Sequence, residues 1–169
     1  VIIDIDEQSL GKFGQFPWNR RVFAKILDQL NMHNPKAIGF DIFFTEKDKQ
    51  SPEAIIKSYG LIPSDVADIQ NLKSPDDIFS KKLKESKSII AVLGSNVPSH
   101  SNYNRKAKAR FLSKGGDPKD FTYSYPHSIG SLEKLEKNVK GLGSISFLDQ
   151  LDGIIRSLPL IVQFDKKIY

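Results

Sequence analysis

Carboxylates and arginines crowd the two ends of this 169-residue chain. Near the N-terminus, Asp4 and Asp6 stand two apart in Val1-Ile-Ile-Asp-Ile-Asp6. Trp18 and Arg20 follow in Gly14-Gln-Phe-Pro-Trp-Asn-Arg20, and Asp41 interrupts the apolar run Ala37-Ile-Gly-Phe-Asp-Ile-Phe-Phe44. Near the C-terminus, Asp152 and Arg156 fall in Asp149-Gln-Leu-Asp-Gly-Ile-Ile-Arg156. Residues two apart on a strand point to one face, so Asp4 and Asp6 share a side, with Asp41 at a similar level of a neighbouring strand. Three carboxylates gathered at a sheet end suit a hard cation such as magnesium or calcium. The other reading is a structural network, because buried charges need partners and each arginine offers a carboxylate a five-donor fork. Both readings stay open on the residues alone, and the expected ligand or coupling surface is Asp4, Asp6, Arg20, Asp41 and Arg156. Trp18, with Phe16 and Pro17, either lines a ligand pocket or staples its loop to the core, and the staple is favoured. No nucleophile and base stand at an evident catalytic spacing, and His33, His100 and His127 lack metal-ligand spacing. No cofactor is implied.

The elements that must position these residues follow from apolar periodicity. Val1 to Asp6 reads as a buried strand. From Arg20 to about Met32, Val22, Phe23, Ile26, Leu27 and Leu30 recur at helical spacing, with Asn19 as N-cap and Asn34-Pro35 as stop. Ala37 to Phe44 reads as a second buried strand, which completes a βαβ unit with a right-handed parallel crossover. Helix starts are expected after Ser51-Pro52, after Pro63-Ser64 and at Ser74-Pro75-Asp76-Asp77. Ser88 to Gly94 is a third core strand, and a short strand is expected near Phe121 to Tyr125. Ser144 to Phe147 and Leu158 to Phe164 flank Asp152-Gly153, a turn that predicts an antiparallel hairpin. The expected fold is mixed α/β: a parallel βαβ core, an antiparallel C-terminal hairpin, and helices packed on the sheet. Residues 1–169 form one domain, with irregular insertions at about 49–74 and 95–131.

Composition narrows the function classes. With no cysteine there is no disulfide framework, thiolate zinc site or cysteine nucleophile, while the compartment stays open. The net charge of +5 reads as solvated lysine surface. Its one dense run, Arg105-Lys-Ala-Lys-Ala-Arg110, lies between Tyr103 and Phe111 and reads as a surface loop; no nucleic-acid partner is expected. No apolar run approaches the ~20 residues that span a bilayer. The chain begins on Val, in mid-strand, as expected of a piece of a longer protein.

Four segments, in order, carry a resemblance. They are Asp4-Ile-Asp-Glu-Gln-Ser-Leu10, Gly14-Gln-Phe-Pro-Trp-Asn-Arg20, Ile38-Gly-Phe-Asp-Ile-Phe-Phe44, and Asp149-Gln-Leu-Asp-Gly-Ile-Ile-Arg-Ser-Leu-Pro-Leu160. Together they resemble the second family of CHASE domains, the extracellular sensory modules of cyclases and histidine kinases. The resemblance implies a periplasmic or extracellular input domain tethered to a bacterial membrane by flanking transmembrane helices, in a homodimeric receptor. Its implied output is a cytoplasmic adenylate or diguanylate cyclase, a two-component histidine kinase or a Ser/Thr kinase. The implied partner is an unidentified small-molecule or ionic signal, and this piece itself carries no enzymatic activity. Residues 49–74 and 95–131 match nothing in the family, which directs the search for the signal-recognising surface to that middle. A second resemblance is weaker: Asp4-x-Asp6 after an apolar run is similar to the first motif of haloacid-dehalogenase-like magnesium-dependent phosphatases. There the first Asp is the nucleophile and the second the acid/base. The position two past Asp6 is Gln8, where those enzymes carry Thr or Val, and Asp149 with Asp152 only mimics their late acidic pair.

Overall fold

The chain does not open on a strand. The computed structural model describes residues 1–61, 67–98, 103–112, 114–146, 154–164 and 166–169, and residues 1–6 have no regular structure, with Val1, Ile2 and Ile3 exposed. β-Branched composition favours a strand only where a neighbour supplies a pleated, half-buried setting. The signal that wins here is local: Asp6 Oδ1 accepts from the Ser9 amide at 2.8 Å and from Ser9 Oγ at 2.6 Å, which caps helix α1 (Glu7–Phe13). Helix α2 (Arg20–Met32) is the expected amphipathic helix. Asn19 caps it by accepting from the Arg21 amide at 2.7 Å, and Phe23, Ala24 and Leu27 are buried.

Strand β1 (Ile38–Phe40) is shorter than the apolar run that predicts it, and Asp41 lies beyond its end. Phe44 is nonetheless buried, because its carbonyl accepts from the Leu132 amide at 2.8 Å and its amide donates to Ser131 Oγ at 3.1 Å. Helices α3 (Pro52–Tyr59), α4 (Ala67–Gln70) and α5 (Pro75–Glu85) follow. Two of them start at the Ser-Pro pairs, with proline in the first turn, where its missing N–H costs nothing. The expected start at Pro63-Ser64 lies outside the described residues.

Strand β2 (Ser88–Ser95) organises the main sheet, with β4 (His127–Gly130) and β5 (Gly141–Ser144) coming after the short β3 (Tyr123–Tyr125). Ile89 and Ile90 pair in parallel with both β1 and β5, so those two strands lie on opposite edges of β2. Val92 pairs with Gly130 and with Ser144, so antiparallel β4 follows β1 along one edge. The parallel β-helix-β crossover therefore exists, but it joins β1 to β2 through α3, α4 and α5. Helix α6 (Glu133–Asn138) precedes β5.

A second sheet consists of β3, β6 (Val162–Phe164) and β7 (Lys167–Ile168). It corrects the expected hairpin: β5 pairs with β2 while β6 pairs in parallel with β3, so these two strands do not pair with each other; the expected turn, Asp152-Gly153, lies outside the described residues. The antiparallel C-terminal hairpin is instead β6–β7, with Lys166 at φ 63°.

The principal core lies where α2, α5, α6 and β2 meet. Phe23, Phe44 and Phe79 pack with centroids 5.1 Å apart for the two pairs that include Phe44 and 5.9 Å for Phe23–Phe79, over Leu27, Leu83, Ile90 and Leu135. A smaller core of Val92, Val162, Phe164 and Tyr169 sits under the C-terminal hairpin, and Leu142 packs against both.

Candidate functional site

Arg20 stands at the centre of a buried polar network. As the first residue of α2 it is held between two other segments, residues 46–50 and the first turn of α5. Its amide donates to Asp48 Oδ2 at 2.6 Å, its Nη2 to the Glu46 carbonyl at 3.1 Å, and its guanidinium lies 4.6 Å from the Phe44 ring centroid. Asp48 also accepts from Asn19 Nδ2 at 3.1 Å and from the Gln50 amide at 2.8 Å, and its own amide donates to Asp76 Oδ2 at 2.9 Å. Arg20 Nε and Asp76 Oδ1 are 3.5 Å apart, an ion pair without hydrogen-bond geometry, and both atoms are buried. Burial pushes the Asp76 carboxyl above its ordinary pKa, against the pull of the Asp48 amide and Arg20. Burial also lowers the Arg20 guanidinium, against Asp76 and Asp48.

The network ties two helix N-termini to one loop. Asp48→Ala removes the acceptor of three N–H groups, and stranding a buried donor costs about 1–3 kcal/mol. Urea denaturation of that variant is expected to show a loss in this range, while Gln50→Ala, which removes one exposed amide, stays close to the parent protein.

Among the described residues, the three expected carboxylates Asp4, Asp6 and Asp41 are not brought together. Asp4 is exposed on irregular backbone, Asp6 caps α1, and Asp41 is exposed past the end of β1. Among the described residues no three His, Cys, Asp or Glu side chains converge to hold a metal. Arg20 forms its ion pair with Asp76 and donates its amide to Asp48, while Arg156 is exposed and its Nη1 donates to the Ile154 carbonyl at 3.4 Å. Asp152 lies outside the described residues. Trp18 is buried, donating Nε1 to the Gly14 carbonyl at 2.6 Å and packing against Phe13, Phe16 and Phe23, which is the staple geometry.

The basic run is corrected as well, because Arg105 points inward. Its Nε donates to both carboxylate oxygens of Glu136 at 2.8 Å, and its Nη1 to Ser128 Oγ at 2.8 Å and the Ser128 carbonyl at 3.1 Å. Both side chains are at most 3% exposed. A Cβ on Gly130 would collide with Glu136 Oε1 and the Arg105 guanidinium, so β4 needs glycine at the point where the pair crosses it.

The family model of the CHASE2 domain matches residues 1–169, the whole chain. The chain belongs to the CHASE2 family. No curated protein and no solved structure gives a significant match. A CHASE2 domain is a sensory extracellular module of cyclase and kinase receptors and is not itself catalytic. This removes the phosphatase reading of Asp4 and Asp6, and the cap geometry of Asp6 gives that residue a different task. No helix among the described residues of this CHASE2 domain is long and apolar enough to cross a membrane.

The cap leaves a measurable signature. Hydrogen bonds from the Ser9 side chain and then its backbone amide lower the Asp6 pKa. A carboxylate whose folded pKa is depressed contributes stability above its unfolded pKa, and that contribution is lost as pH falls through the folded value. In this CHASE2 domain, Ser9→Ala is expected to raise the Asp6 pKa towards the ordinary carboxylate range, read from the Asp6 side-chain carbon in an NMR titration. An unchanged pKa would contradict the capping account.

Sequence reasoning missed Asp48, Asp76, Arg105 and Glu136 as partners. Asp76 was legible only as an acid in a helix's first turn, and Asp48 and Glu136 lay among charged residues with no apolar periodicity to mark them as buried.

Proposed function

We propose that this CHASE2 domain is the periplasmic or extracellular input domain of a bacterial transmembrane receptor. Membrane helices on either side hold it, and its signal controls a cytoplasmic nucleotide cyclase, histidine kinase or Ser/Thr kinase. The receptor works as a homodimer. The observation that carries this reading is the family match over the whole chain. The geometry is compatible with it: the buried Arg20 and Arg105 networks fasten helices to loops and strands. Signal passes when a small molecule or ion binds two arrangements of the domain unequally, because only differential affinity shifts such an equilibrium. In this scheme Trp18 and Arg20 belong to the scaffold.

The absence of native cysteine gives a clean test of location. Lys57 is exposed on α3, so Lys57→Cys in the full receptor, with any cysteine outside residues 1–169 replaced by serine, provides a single reactive thiol. Labelling by a membrane-impermeant maleimide in spheroplasts, without lysis, is the expected result. Labelling only after lysis would place the domain in the cytoplasm and end the proposal.

A further inference from the structure

A cavity of about 700 Å³ opens between the 103–108 segment and α6, lined by Tyr103, Asn104, Lys106, Lys108, Glu133 and Lys137 among others. Three ammonium groups there meet one carboxylate, and Glu133 is already engaged by Lys137 at 2.6 Å. Lys106 is exposed and, among the described residues, makes no ion pair. Lys108 is half-buried, and its Nζ donates to the carbonyls of Lys137 at 3.0 Å and Val139 at 2.6 Å, just where α6 ends. An ammonium has three donors, so one remains for the cavity. Burial lowers the Lys108 pKa, the mark of a cation partly stripped of water. The charge of Glu136 acts on Lys108 against this burial, but Glu136 is ion-paired with Arg105, and an anion in the cavity gives the half-buried ammonium a direct partner. The Tyr103 ring and the Asn104 amide supply a flat wall and neutral polar groups.

We infer that this groove is the ligand site of the domain and that it takes a small soluble polyanion, with two or more carboxylate or phosphate groups held by Lys106 and Lys108. Tyr103, Asn104, Lys106 and Lys108 come from residues 95–131, which the four motifs do not reach, and Glu133 and Lys137 come from α6. The groove is also wired to the end of the chain. Asn104 Oδ1 accepts from Lys167 Nζ, and the Arg105 carbonyl accepts from Lys167 Nζ at 2.8 Å and from the Tyr169 hydroxyl at 3.1 Å. Movement of Asn104 towards a ligand therefore loads β7 directly.

The inference rests on the sensory reading for its biological use, but binding is a property of the 169-residue chain and is tested on it alone. Isothermal titration uses citrate and pyrophosphate as probes, with acetate, glucose and a short oligothymidylate beside them. The expected result is saturable one-to-one binding of citrate or pyrophosphate, the stronger of the two assigning carboxylate or phosphate. Lys106→Glu and Lys108→Met are each expected to weaken it by about tenfold or more, the loss of one charge-assisted hydrogen bond. Lys57→Glu, which makes the Lys106→Glu charge change on α3, leaves it unchanged. Lys106 is exposed, so its replacement preserves the fold, as a thermal melt verifies. No saturable binding of either anion, equal weakening by Lys57→Glu, or binding of oligothymidylate alone overturns the inference. None of these outcomes touches the cysteine-labelling result, and a cytoplasmic location leaves the titration standing.

Discussion

Arg105→Met is expected to destabilise the domain by about 3–5 kcal/mol, because removing one partner of a buried ion pair leaves the other charge unpaired. Glu136 would keep its burial and lose the two Nε contacts at 2.8 Å. Burial already pushes its carboxyl pKa up, with Arg105 pulling the other way, so the variant raises it further. The sign of the pH dependence follows. A carboxyl whose folded pKa exceeds its unfolded value binds more protons folded than unfolded, so stability falls as pH rises between the two values. The Arg105→Met defect is therefore greatest at neutral pH and shrinks on acidification, whereas Arg105→Met combined with Glu136→Leu recovers much of the loss. Urea denaturation between acid and neutral pH reads all three behaviours. A pH-independent loss below about 1 kcal/mol, the size expected of an exposed pair, would contradict burial of the interaction.

Phe79→Ala is expected to cost a similar amount, about 3–5 kcal/mol, through lost transfer energy and the cavity left behind. Phe79 is fully buried and meets Phe23, Phe40 and Phe44 with centroids 5.1 to 5.9 Å apart, so no single neighbour can collapse into its place. Phe79→Leu keeps more of the volume and should lose less. Phe121, 84% exposed, is the control: its replacement by alanine should stay within about 0.5 kcal/mol. Equal losses at Phe79 and Phe121 in chemical denaturation would mean that the aromatic cluster is not the core.

Both sites show what can be read from a sequence and what cannot. Phe79 was legible, because Ser74-Pro75-Asp76-Asp77 announces a helix start and Phe79 and Leu83 then fall on one face. The same reasoning located α2 and β2, whose periodicities are set by residues close in the chain. Val1 to Asp6 misled because strand formation needs a partner that the sequence does not name, whereas the Asp6–Ser9 cap needs only three residues. The C-terminal hairpin was expected at the wrong turn for a related reason: β5 and β6 are neighbours in sequence but join different sheets. The four family motifs fixed the class of the domain, yet Asp4, Asp6 and Asp41 do not assemble, and Arg20 finds Asp48 and Asp76 instead. Arg105 was hidden by its company, since one inward-facing arginine in a run of basic residues has no local mark, and only Gly130, Ser128 and Glu136, brought together by tertiary structure, reveal its role.

A sensory input domain of this kind governs, in the proposed receptor, a cytoplasmic output from outside the membrane. The most direct measurement is the cyclase or kinase output of the full receptor across a panel of external solutes, with residues 1–169 intact and with them replaced by an unrelated folded domain. The expected output changes with external conditions in the intact receptor and is constant in the replacement. An output that responds identically in both would contradict it.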